Sequence, residues 1–161
     1  MTNPSRLDAL RQSRLAAELS DEQCSVLSEL VTLRDLRDGE VLVKEGEVDN
    51  HLYVIVHGLL RVAKNLGSPE EVTFFTIGAG DFADELSFMD STQHYASLLA
   101  AGETRVLGLE RERLESLLTA RPDIVYKVMR AIIRAVHQIQ RRLSMHSVEL
   151  TNYIYKQHGR Y

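Results

Sequence analysis

The sequence predicts an α+β fold, with a β-rich middle over about residues 34–109 held between helical ends. Three observations predict it. The middle carries short β-branched runs cut by glycine turns, the segment before it carries a helix-capping signature, and the segment after it carries a long apolar stripe at helical spacing.

The N-terminal zone, residues 4–33, reads as helix. Leu7, Leu10, Leu15 and Leu19 recur at roughly helical spacing, and Ser20-Asp21-Glu22-Gln23 has the form of a capping box, a Ser N-cap with Gln three residues on. Val26, Leu27, Leu30 and Val31 then continue the helical period. Cys24, the single cysteine, falls in this stretch and is read as a small buried side chain.

The middle zone changes texture. Val41-Leu42-Val43, Leu52 to Val56, Leu59 to Val62, Val72 to Ile77 and Arg105 to Leu109 are strand-like runs. Asp38-Gly39, Gly46, His57-Gly58, Gly67-Ser68-Pro69, Gly78 to Gly80 and Gly102 separate them as turns. Strands at this spacing build a sandwich or barrel.

The C-terminal zone, residues 111–157, is helical again: Glu112 to Leu118 as a short helix, a break at Arg121-Pro122-Asp123 with proline at a helix start, then one long helix. Along it Met129, Ile132, Val136, Ile139, Leu143, His146, Leu150 and Tyr153 follow at alternating spacings of three and four, a heptad seam. A stripe this narrow suits a two-helix interface, so a homodimer through the 123–155 helix is expected, with docking inside the chain as the alternative. His146 is then a polar residue within that interface.

Composition narrows the function classes. A net charge of −4 supplies no pull toward nucleic acid or an anionic membrane. The lone cysteine suits a reducing cytoplasm, and no segment has the roughly 18 apolar residues of a membrane span. The six histidines show no i,i+4 pair and no Cys partner at ligand spacing, so no metal site is expected. Without a nucleophile elbow, a P-loop or a dinucleotide fingerprint, the chain does not read as an enzyme.

Leu36-Arg37-Asp38-Gly39-Glu40-Val41-Leu42, Glu45-Gly46-Glu47 and Leu52 to Gly58 together resemble the first half of the cyclic-nucleotide-binding domain family. Gly80-Asp81-Phe82-Ala83-Asp84-Glu85-Leu86-Ser87, followed by Gln93-His94-Tyr95-Ala96-Ser97, resembles its phosphate-binding cassette, and Leu107 to Leu118 the strand and helix that close the fold. The resemblance implies an eight-stranded antiparallel β-roll with a long C-terminal dimerisation helix. It places the ligand site at Asp84, Glu85, Leu86, Ser87, His94, Tyr95 and Ala96, with a cyclic nucleotide as the implied ligand. In such a cassette backbone amides and an arginine hold the phosphate, a glycine lets the chain approach it, and a glutamate accepts from the ribose hydroxyl.

Glu85, Leu86 and Ala96 match the pattern, but Asp84 stands at the glycine position and His94 at the arginine position. Losing a charge-assisted phosphate bond costs roughly 1.5–3 kcal/mol, and a carboxylate about 4 Å from the phosphate adds up to about 4 kcal/mol at an effective dielectric near 20. A sum of about 5 kcal/mol is more than a thousandfold in affinity. Altered or lost cyclic nucleotide binding is therefore expected. Two accounts follow: Asp84 caps the short helix after it with its own carboxylate, or the pocket takes a different small molecule with His94 and Tyr95 as contacts. The chain stops at Tyr161, so a module without the winged helix-turn-helix of catabolite-activator-type regulators is expected. It would act on an unknown protein partner as a ligand sensor, or else serve as a ligand-independent dimeric interaction module, its aromatic-basic end Asn152 to Tyr161 docking on protein.

Overall fold

A computed structural model describes the backbone of residues 4–158, with side chains described continuously to residue 138 and at scattered positions beyond. Two short helices open the chain, α1 (Arg6–Gln12) and α2 (Asp21–Ser28), joined through a 3₁₀ turn at Arg14–Ala16. The capping box at Ser20 forms as read: its hydroxyl accepts from the Gln23 N–H while the Gln23 side chain accepts from the Ser20 N–H. A second box, between Ser5 and Asp8, starts α1. Helix α2 ends at Ser28, however, and Val31 to Leu33 open the first strand, so the helical period through Val31 overran the helix by three residues. Val31 is buried in the same core as Leu27, which is why an apolar residue stands there in either conformation.

Eight strands follow, β1 (Val31–Leu36), β2 (Val41–Val43), β3 (His51–His57), β4 (Leu59–Lys64), β5 (Val72–Gly78), β6 (Phe82–Ala83), β7 (Ser97–Ala100) and β8 (Thr104–Glu110), with α3 (Glu85–Asp90) between β6 and β7. They form two antiparallel four-stranded sheets, ordered β1-β8-β3-β6 and β2-β7-β4-β5. The chain passes repeatedly from one sheet to the other, so partners are distant in sequence; Val31 pairs with Leu109 and Val41 with Leu99. This is the antiparallel β-roll.

Two apolar cores hold it. Leu36, Ile55, Leu60, Val62 and Val106 fill the space inside the roll. Leu10, Leu15, Leu27, Leu52, Phe88 and Leu109 form the second core, where the helices cover the β1-β8-β3 sheet. Burying each such side chain contributes roughly 1.5–3 kcal/mol. Cys24 is buried in this second core, and burial pushes its thiol up, as suits an inert packing residue.

The chain closes with α4 (Arg111–Glu115) and the 37-residue α5 (Pro122–His158). Helix α5 begins against the N-terminal helices: Ile124, Val125, Val128, Ala131 and Ile132 enter the second core. Polar contacts fix the docking. Gln23 donates to Asp123 at 2.8 Å and accepts from Lys127 at 2.9 Å, Arg121 bridges Glu22 and Asp123, and Arg130 and Arg134 both reach Glu18. The seam therefore begins inside its own chain, with Ile132 buried and Met129 packed beside it. The side chains of Ile139, Leu143, His146, Leu150 and Tyr153 lie outside the described residues, as does Gly159 to Tyr161 entirely.

Candidate functional site

The cassette segment folds as β6, a left-handed residue at Asp84, helix α3, and a loop returning into β7. Asp84 has φ 74° and ψ 29°, a conformation glycine adopts freely and aspartate tolerates at a cost. A side chain that caps a helix normally leaves an N-cap residue in the β-region. From the left-handed region the Asp84 carboxylate makes no bond to the amides of α3, so the self-capping account fails.

The carboxylate instead meets His94. Its Oδ1 lies 2.7 Å from His94 Nδ1, with both side chains about 95% buried, at 6% and 5% exposure. His94 is held by its backbone: its N–H donates to the Glu47 carbonyl at 2.9 Å, and its carbonyl accepts from the Gly46 N–H at 2.8 Å. The residues at the glycine and arginine positions of the cassette thus bond to each other.

A third residue, absent from the sequence reading, completes the cluster. Asp49, in the loop before β3, lies with Asp84 and His94 so that one donor atom from each falls within 4.8 Å of the others. The Tyr53 hydroxyl donates to Asp49 Oδ2 at 2.6 Å, and His51 Nδ1 lies 2.8 Å from Asp49 Oδ1. His51 and Tyr53 share one face of β3 because strand side chains alternate, and both reach Asp49 from there. The Asp49 N–H donates to the Ser87 hydroxyl at 3.3 Å, tying this loop to α3.

The other expected site residues divide. Ser87 and Ala96 are buried, while Leu86 and Tyr95 are exposed, Tyr95 stacking against Phe74 of β5 with ring centroids 6.3 Å apart. Glu85 begins α3, and its buried Oε1 has no hydrogen-bond partner; the same is true of Asp84 Oδ2 and His94 Nε2.

The electrostatics follow from three carboxylates sharing a space without a strong cation. Among the described residues, none of Asp49, Asp84 and Glu85 bonds to a lysine or arginine. Burial pushes the Asp84 carboxyl up to about 8, with Asp49 and Glu85 adding repulsion. Burial also raises Glu85, raises the Tyr53 hydroxyl with help from its bond to Asp49, and holds His94 below its ordinary value.

These shifts make the stability of the fold depend on pH. Asp84 keeps its proton in the folded state up to about pH 8 but loses it near 4 when unfolded, so its contribution falls as pH rises between those values. His94 acts oppositely, but only below its unfolded value near 6.5. Between about pH 6.5 and 8 His94 no longer contributes, and comparison with Asp84→Asn separates the Asp84 carboxyl from Glu85, which burial also raises. In EDTA-containing buffer, urea melts of the wild type should lose up to about 2 kcal/mol more across that interval than melts of Asp84→Asn, at about 1.4 kcal/mol per proton and pH unit. Parallel pH curves for the two proteins would show that Asp84 is ionised throughout.

The family model for the cyclic nucleotide-binding domain matches residues 33–121, more than half of the chain. The chain belongs to the cyclic nucleotide-binding domain family. The CRP-like cAMP-activated global transcriptional regulator of Mycobacterium tuberculosis is 26% identical over 110 residues, 68% of this chain and 49% of that protein. The chain thus spans about half the length of that curated relative. Among solved structures, a cyclic nucleotide-binding domain from Methylobacillus flagellatus superposes with a TM-score of 0.73 at 24% identity, covering 86% of this chain and 78% of that one. The N-terminal domain of a transcriptional regulator from Streptomyces coelicolor does so with a TM-score of 0.68 at 27% identity, covering 84% and 95%. The antiparallel β-roll is the fold of this family. No described helix is long and apolar enough to cross a membrane.

Proposed function

We propose that this cyclic nucleotide-binding-type domain is a cytoplasmic, non-enzymatic regulatory module whose pocket no longer takes a cyclic phosphate. The observation that carries the reading is the buried Asp84–His94 contact of 2.7 Å. A phosphate entering the cassette would meet the Asp49 carboxylate and the buried Asp84–His94 pair with no arginine to offset them, which opposes an anion. Signalling would run through the elements around the cluster. The Asp49 loop touches α3, α3 places Phe88 in the core that α5 enters, and α5 would carry the change to a second copy along its 123–155 seam. The whole chain, 1–161, would act as one domain in this role, and Asp84, Glu85, Leu86, Ser87, His94, Tyr95 and Ala96 would form its ligand site.

Calorimetric titration with cyclic AMP and cyclic GMP in EDTA tests the reading. The expected result is no saturable heat below about 1 mM, a millimolar site where an unaltered cassette would give a micromolar one. Micromolar binding by the wild type would sink it.

A further inference from the structure

We propose that Asp49, Asp84 and His94 form a site for a first-row divalent cation of the zinc or manganese type, in the place where the family's cassette holds an anion. The proposal rests on the reading of the pocket as closed to cyclic phosphate and names a ligand for it.

The donor set is the first argument. Two carboxylates and one imidazole are a common ligand type for borderline divalent metals, whereas magnesium and calcium favour all-oxygen shells. Two carboxylates and a neutral imidazole would together balance the charge of one divalent cation. The donor atoms lie within 4.8 Å of one another, and metal bonds of about 2.0–2.2 Å would draw them together by about an ångström.

Unsatisfied buried atoms point to a ligand independently of the clustering. Asp84 Oδ2 and His94 Nε2 are buried without any partner, on side chains only 6% and 5% exposed. Buried polar atoms are nearly always satisfied, and leaving one unpaired costs about 1–3 kcal/mol. A proton shared between Asp84 Oδ1 and His94 Nδ1 leaves both of those atoms unpaired. A cation held by Asp84 Oδ2, Asp49 and one His94 nitrogen would give the Asp84 oxygen the partner it lacks.

The third argument is preorganisation. Asp49 is oriented by the Tyr53 hydroxyl and by His51, as metal-binding carboxylates are by their outer partners. His94 is clamped by two backbone bonds to the loop of Gly46 and Glu47, and the Asp49 N–H is tied to Ser87. Three separate segments therefore present their donors from positions set by the fold.

The test is thermal unfolding of chelator-treated full-length protein with zinc, manganese or magnesium chloride alone. At a hundredfold excess over Kd, zinc should raise the midpoint by about 5–10 °C, and magnesium by far less. Asp84→Asn and Asp49→Asn should weaken zinc binding at least tenfold. Replacing the exposed His57 and His137 by alanine should leave it unchanged. If Asp84→Asn does not fold, cobalt titration of the wild type carries the test, since d–d absorption bands displaced by zinc report inner coordination. No stabilisation by zinc or manganese up to millimolar concentration overturns the proposal, and so does an undiminished zinc response in a folded Asp84→Asn protein. Cyclic nucleotide binding in EDTA would instead overturn the reading of the pocket on which the site rests, whereas silence to both metal and nucleotide removes the cation alone.

Discussion

Replacing Asp84 by glycine and His94 by arginine together should raise the affinity for cyclic AMP more than a thousandfold, from the millimolar to the micromolar range. The two changes act on one contact, so they should not add independently. Asp84→Gly alone removes the carboxylate and relieves a residue held at φ 74°, but leaves a buried imidazole whose burial favours the neutral form. His94→Arg alone places a guanidinium beside Asp84, which would bind it before any phosphate did. Only the pair leaves a guanidinium free of Asp84 at the phosphate position, on a backbone already clamped to Gly46 and Glu47. Glu85 remains in either case, its buried Oε1 free of protein partners. Calorimetry on the single and double variants measures the coupling directly. A folded double variant with wild-type affinity would show that Asp49, or the shape of the pocket, excludes the nucleotide instead.

The largest stability effect is expected at Gly58, the hinge at which the chain passes from β3 in one sheet to β4 in the other. Its φ is +89°, and a Cβ there would lie 2.5 Å from the Glu103 carbonyl oxygen and 2.8 Å from the Thr104 Cα. Both are backbone atoms, and the Thr104 hydroxyl is also held, donating to the Leu59 carbonyl and accepting from the Leu59 N–H. Gly58→Ala must therefore shift a strand junction, and about 3 kcal/mol or more of stability should be lost, roughly 6–12 °C in the midpoint. Gly80 separates the two causes. Its φ is +87°, but nothing lies within 4 Å of a Cβ there, so Gly80→Ala should cost only the backbone term of about 1–2 kcal/mol. Equal losses at the two positions would show that conformation alone, without the close approach to Glu103, sets the requirement for glycine at 58.

Neighbouring residues alone dictate a large part of this fold. The capping box at Ser20, the strand runs around Val41, Leu52, Leu59, Val72 and Arg105, the glycine turns between them and the position of the cassette all depend on spacings of a few residues. The substitutions Asp84 and His94 were legible for the same reason, since a cassette is a short stretch of chain. Local signals also misled where two structures use the same residue type: Val31 continues a helical period yet opens β1, because both conformations bury it. Where the Asp84 carboxylate points was decided by its left-handed backbone, which no residue type dictates and which turned it from the amides of α3 to His94. Asp49 lies 35 residues before Asp84, and only the return of the chain past β3 and α3 brings them together. The first turns of the C-terminal seam went to the chain's own core, because Leu10, Leu27 and Leu109 offered Ile132 an apolar surface. In each case the deciding contact joins segments far apart in the chain, and its free energy exists only once the roll has closed. The altered positions can thus be named from sequence, but that they form one acidic cluster with Asp49 is a property of the fold.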